Sequence, residues 1–252
     1  MTVPTRLPAG LSIERVGSLF GNLRTINPFR LFSDVTDFAD YIATDWTTTT
    51  STGSTALVAG NGGLVTQTTA ATGNDIQFNL DNPADIAFVP GSQSWFAVNV
   101  VLPDSLNPGA QFGLQTGGTP FAPTDGVYFT KVAASRSINL NIAKASVVST
   151  LAGVATFADG VPMTLGFYYD GKAIPTLYVF ANDVSGISVP PGTATPFGGQ
   201  QKASAGALAT SGVLLTNLPT ANLSRGFGIQ TASAAVKTMT TDFIGVMAEV
   251  AR

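Results

Sequence analysis

The chain has 252 residues, a net charge of -3, 44% hydrophobic and only 11% charged residues, and neither Cys nor His. Without Cys there are no disulfides, thiolate metal sites or thiol nucleophiles, and without His the usual general base and the usual zinc ligand are missing. No run of 18 apolar residues predicts a membrane-spanning helix, and the acidic balance gives no footprint for nucleic acid.

Residues 1–32 read as an extended N-terminal arm. Pro4, Pro8, Gly10, Gly17, Gly21 and Pro28 interrupt any long element. Leu11, Ile13, Val16, Leu19, Phe20 and Leu23 supply apolar anchors that could dock elsewhere. The opening Met1-Thr2-Val3-Pro4-Thr5-Arg6 lacks the apolar core of a secretory leader. Arg6, Arg15, Arg24 and Arg30 against Glu14 put residues 1–30 at +3, whereas nine Asp and no base put residues 31–130 at −9. A basic arm and an acidic stretch can pair between subunits.

Ser33 to Ala43 is the best helix candidate, expected as a short helix or turn. Ser33 can cap, Asp34 and Asp37 suit the first turn, and Val35, Phe38, Tyr41 and Ile42 recur near a 3.6 period. From Trp46 onward the pattern has period two, the signature of half-buried strands. Thr47 to Thr50 is β-branched. Ala56–Ala59 and Leu64–Gln67 flank Gly60-Asn61-Gly62-Gly63, a hairpin signal. Ile76, Phe78 and Leu80 alternate with polar residues; Trp95, Ala97 and Asn99 oppose Phe96, Val98 and Val100. Phe112 and Leu114, Val127 and Phe129, and Ile138, Leu140 and Ile142 continue the alternation. Thr164–Tyr169, Asp170-Gly171 and Ile174–Phe180 predict a hairpin with a tight Asp-Gly turn. Phe227, Ile229, Phe243, Val246 and Ala248 complete the set. A Gly-, Ala-, Ser-, Thr- and Pro-rich loop of about 189–223 lies between, long enough to suggest an ordered excursion that meets a partner. Short strands with turns every 8–12 residues imply an all-β sandwich or barrel, and an antiparallel sandwich over residues 33–252 is the expected architecture. Trp95, Phe78, Phe112, Phe129, Leu165, Phe167, Val179 and Phe243 are the expected core.

No catalytic, cofactor-binding or metal-ligating residue is assigned. Glycoside hydrolysis needs two carboxylates facing one sugar. The only Glu residues are Glu14 and Glu249, at opposite ends of the chain, which leaves Asp34/Asp37 and Asp81/Asp85 as pairs. Asp81-Asn82-Pro83-Ala84-Asp85 and Asn182-Asp183 could offer oxygens to calcium, although such sequences also serve turns. Trp46, Trp95, Tyr168 and Tyr169 could stack on a sugar; in strands they read as core.

Several words in order carry a family resemblance. They are Arg6-Leu7-Pro8-Ala9-Gly10, Asp37-Phe38-Ala39-Asp40-Tyr41, Asp45-Trp46-Thr47, Gly62-Gly63-Leu64 and Ser94-Trp95-Phe96-Ala97. Phe112-Gly113-Leu114-Gln115, Asp125 to Lys131, Leu165 to Lys172, Phe227-Gly228-Ile229-Gln230 and Asp242-Phe243-Ile244 follow. Together these resemble tailed-phage virion structural proteins with a concanavalin A-like, jelly-roll sandwich. The resemblance implies a non-enzymatic virion part made in the host cytoplasm: a capsid-associated decoration or minor head protein that stabilises the shell. Its partners would be the major capsid protein, other virion proteins and copies of itself, for instance as a trimer, with no nucleic acid, membrane or cofactor. The alternative is a glycan- or receptor-binding module of a tail fibre or spike.

Overall fold

The computed structural model describes residues 31–59, 63–82, 84–171, 176–181, 201–204 and 217–249. Residues 1–30 of the expected 1–32 arm, the hairpin tip at 60–62, Asn182-Asp183 and most of the 189–223 loop lie outside them. Among the described residues fifteen strands run in chain order: β1 Leu31–Thr36, β2 Trp46–Thr50, β3 Ser54–Val58, β4 Leu64–Thr68, β5 Ile76–Asp81, β6 Ser94–Val101, β7 Gly109–Gln115, β8 Gly126–Lys131, β9 Ser137–Lys144, β10 Val147–Thr156, β11 Met163–Tyr169, β12 Thr176–Ala181, β13 Gln201–Ser204, β14 Ser224–Gln230 and β15 Thr238–Glu249. They form two antiparallel sheets. The eight-stranded sheet has the order β13-β12-β11-β6-β15-β4-β3, with β1 also paired to β15. The seven-stranded sheet has the order β10-β9-β8-β7-β14-β5-β2.

Alternation decides which side chains meet between the sheets. Phe96, Val98 and Val100 of β6, Leu165, Phe167 and Tyr169 of β11, and Leu177, Val179 and Ala181 of β12 come from one sheet. Ala110, Phe112 and Leu114 of β7, Val127 and Phe129 of β8, and Phe227 and Ile229 of β14 meet them from the other. Phe96 and Phe167 stack at 5.1 Å, and Phe129 packs 6.2 Å from Phe167 across the layer.

Seven of the eight expected core residues are buried, but they do not all share one core. Trp95 belongs to a second cluster with Ala97, Tyr168 and Phe180, against which Phe243 is only half-buried. Phe78 lies opposite Gly228, on the outer side of the seven-stranded sheet, where it meets Phe121.

Two local expectations are corrected. Ser33 to Ala43 is not a helix: Leu31–Thr36 is a strand in register with Ile244–Glu249, and a single 3-10 turn occupies Ala43–Asp45. The strand wins because alternate residues are claimed by different partners. Phe32 packs on the core, Asp34 and Thr36 bind Arg225, and Val35 points outward over Gly245. Phe38 then takes a positive φ of 54°, and the Asp37 carboxylate accepts the Ala39 N–H, which together end the element. The strand also begins two residues inside the expected arm boundary.

The Asp170-Gly171 hairpin is longer than a two-residue turn, since Tyr169 pairs with Leu177. Gly171 has φ +62° and its carbonyl accepts the Gly91 N–H at 2.6 Å. The glycine is therefore spent on close approach to the 91–92 loop rather than on a tight turn. Within the expected 189–223 loop, residues 201–204 form β13 and Leu223 bridges to Ile86.

Candidate functional site

Opposed residues in antiparallel strands share a face, so the outer face of the seven-stranded sheet can be read from register. Gln111 lies between Gly228 and Thr130, Gly113 between Gly226 and Tyr128, and Gln115 between Ser224 and Gly126. Tyr128 opposes Asn141, and Thr130 opposes Asn139. Amides dominate this face and bond to one another. Gln111 Nε2 donates to Gln115 Oε1 at 2.5 Å, Asn141 Nδ2 to Thr130 Oγ1 at 2.9 Å, and Thr150 Oγ1 to Asn141 Oδ1 at 2.7 Å. Gln111 Oε1 is buried and has no hydrogen-bond partner among the described residues. Burial raises the Tyr128 phenol above its ordinary pKa. Phe78 covers Gly226 and Gly228 closely enough that a Cβ on Gly226 would lie 2.8 Å from its ring.

The seven-stranded sheet contains one carboxylate, Asp81, and that group is already committed. Arg225 Nε and Nη2 donate to Asp81 Oδ2 at 2.9 and 2.5 Å, and Nη2 reaches Asp34 Oδ2 at 2.6 Å. Nη1 donates to the Asp34 and Ile244 carbonyls and to Thr36 Oγ1, and the guanidinium sits 5.6 Å from the Trp46 ring centroid. Burial raises the Asp81 pKa against the pull of Arg225, and burial followed by the neighbouring Asp34 and Asp81 charges raises Asp85. Asn82, in the same predicted calcium cluster, donates its amide to Thr47 Oγ1. Among the described residues no three metal-capable acids converge.

Other acids tie loops. The Asp75 carboxylate accepts the Thr52 and Ala70 N–H groups and the Thr52 hydroxyl; burial pulls its pKa up, these bonds pull it down, and the net shift is downward. Asp104 accepts Lys237 Nζ at 2.6 Å and the Leu106 and Asn107 N–H groups. Asp159 holds Ser105 and Arg136, and Glu249 accepts the Gln93 N–H.

The outer face of the eight-stranded sheet is aromatic. Tyr168 opposes Trp95 on one side and Tyr178 on the other. Their rings stack at 5.1 and 5.6 Å across three strands. Trp95 is only 1% exposed, and its Nε1 has no hydrogen-bond partner among the described residues. A small apolar cleft beside it is lined by Val35, Ala97, Phe243, Gly245 and Met247.

Of the aromatic residues considered for sugar stacking, Trp46 and Tyr169 lie in the main core and Trp95 and Tyr168 in the outer cluster; all four are buried. The Asp34/Asp37 and Asp81/Asp85 pairs form no carboxylate couple across a cleft, because Arg225 joins Asp34 to Asp81 and Asp37 binds its own turn. Arg225 was missed at the sequence level. It is a lone charge between Ser224 and Gly226, just ahead of the strand expected at Phe227 and Ile229, and local pattern carries no signal for its distant partners.

The architecture is that of a concanavalin A-like β-sandwich, and solved structures share it. An endo-1,3-beta-glucanase from Streptomyces sioyaensis has a TM-score of 0.58 at 9% identity, covering 90% of this chain and 99% of that one. A protein of unknown function from Shewanella oneidensis MR-1 has a TM-score of 0.55 at 16% identity, covering 88% and 87%. Peanut lectin has a TM-score of 0.54 at 10% identity, covering 88% and 99%. No family model and no curated protein matches the chain. Identities this low establish the fold alone.

Proposed function

We propose that this chain is a non-catalytic structural component of a tailed-phage virion, a capsid-associated decoration or minor head protein that works by contact area. One observation carries the non-catalytic part: the whole seven-stranded sheet offers a single carboxylate, Asp81, and Arg225 holds it. Retaining and inverting glycosidases both need a second acid or base across the sugar. The contact-based part is supported by the low charge of the surface and by the ordered sequence words that resemble virion proteins. Specific interfaces bury about 1,200–2,000 Å² in total, an area that neutral Thr-, Ser- and Ala-rich surface can supply at little desolvation cost.

A second reading, a glycan- or receptor-binding module of a tail fibre or spike, is favoured by the amide-rich outer face, where Asn139 and Asn141 are half-buried and Thr150 is exposed. The two separate in one experiment. Purified protein is incubated with empty phage capsids and, in parallel, with immobilised host polysaccharide. Saturable attachment to capsids supports the structural reading. Attachment to polysaccharide alone, lost in Asn141→Ala, supports the second.

A further inference from the structure

Among the described residues, both sheets end in an unguarded edge at the same end of the sandwich. β3 closes the eight-stranded sheet and β2 closes the seven-stranded one, and no described strand pairs with the far side of either. Such edges offer free N–H and C=O groups, and proteins usually guard them with Lys, Pro or a bulge. None of these is present here. From Trp46 to Asn74 there is no charged residue and no Pro. β3 holds unbroken register with β4, Ser54 against Thr68 through Val58 against Leu64. The edge at β10 differs: its register breaks between Leu151 and Ala155, where Gly153 has φ +68°.

The β3 edge is apolar as well as open. Leu57 and Val58 are 47% and 44% exposed and point to opposite faces of the strand, so both faces gain cover from an added strand.

We infer that β3 is a self-association edge, pairing antiparallel with β3 of a second copy of this chain. Antiparallel pairing about a two-fold axis is self-complementary: with the axis at Ala56, Leu57 meets Thr55 and Val58 meets Ser54 of the partner copy. The charge pattern selects the occupant. Two copies bring no like charges together here, whereas a charged partner finds no complement. A five-residue strand is about 17 Å long, so the contact is small and the dimer weak and concentration-dependent. The inference rests on the reading of the chain as a subunit that acts through contacts, and it names one of those contacts.

Sedimentation velocity of the full chain over a broad concentration range tests it. The expected result is a sedimentation coefficient that climbs toward that of a dimer. Leu57→Lys stays monomeric, while Val147→Lys on the β10 edge behaves as the unaltered chain does. Thermal melts establish that each variant is folded. The chain has no Cys, so single-cysteine variants give a second readout. Ala56→Cys should form an intermolecular disulfide on mild oxidation, and Val147→Cys should not. A monomer at every concentration, a dimer that survives Leu57→Lys, or equal cross-linking at both edges overturns the inference. Attachment to capsids, measured on the same variants, keeps the two proposals apart. Attachment without self-association removes only the β3 pairing; self-association without attachment removes only the virion reading.

Discussion

Replacing Arg225 with Met should be among the most damaging single changes in the sandwich. Arg225 is 4% exposed and neutralises Asp81 while bonding to Asp34, Thr36 and the Ile244 carbonyl, so it joins β1, β5, β14 and β15. Met fills most of the volume but leaves Asp81 as a buried charge without its cation. Breaking a buried pair from one side costs about 3–5 kcal/mol. Asp34 is a third exposed, and solvent screens its share, so it adds little. For a chain of this length that loss lowers the melting temperature by roughly 6–20 °C. The pH dependence has a definite sign. Burial already raises the Asp81 pKa, and removing Arg225 raises it further. An acid whose folded pKa lies above its unfolded value costs stability as pH rises through that window. The loss should therefore be smallest at low pH and largest near neutrality. Thermal and urea melts of Arg225→Met, Asp81→Asn and the double variant, followed across pH, measure this. The double variant should be much less damaged than the two single losses added together. A loss below about 1 kcal/mol, or one that does not change with pH, would refute the account of this ion pair.

Further outcomes follow from other contacts. Gly228→Ala would place its Cβ 2.6 Å from the Gln77 carbonyl and against the Phe78 ring, and should cost about 1–3 kcal/mol in urea melts through overpacking. Asp75 has a lowered pKa, so its stabilisation is complete above the ordinary carboxylate pKa and is lost as pH falls through its folded value. Thermal melts below about pH 4 should show that loss, with a flatter profile in Asp75→Asn. Lys131 donates to the Leu106, Pro108 and Val132 carbonyls, and burial pushes its pKa down to about 8. The unfolded chain then binds the proton more tightly between the two values, so stability should rise with pH above about 8, a slope that Lys131→Met removes.

Strand positions and the two-sheet class were legible because period-two alternation is enforced by burial on one face. Phe96/Val98/Val100 and Leu165/Phe167/Tyr169 obey it throughout. Alternation cannot say which of two apolar faces is the central one. Trp95 and Tyr168 are buried as expected yet sit on an outer face, because both sides of β6 and β11 are apolar; on β5 Phe78 lies outward over Gly226 and Gly228, while Gln77 and Asn79 point inward and bond to Thr55 of the other sheet. The helix expected at Ser33 to Ala43 failed for a related reason. Its 3.6-period match rested on four residues, while the strand is held by long-range partners, β15 and Arg225, that local pattern does not contain. Asp37, expected in the first turn of that helix, accepts the Ala39 N–H two residues on and ends the strand instead. Asp81, read as part of a turn or calcium cluster, binds a residue 144 positions away.

The central claim is that the chain is part of a particle and performs no chemistry on a glycan. Its most direct test is immunogold electron microscopy of purified phage particles with an antibody to the sandwich, paired with a reducing-sugar assay on the purified protein over a polysaccharide panel. The account predicts gold on the heads of intact particles and no sugar release. Protein confined to the particle-free fraction, with sugar release abolished by an Asp→Asn substitution, would contradict it.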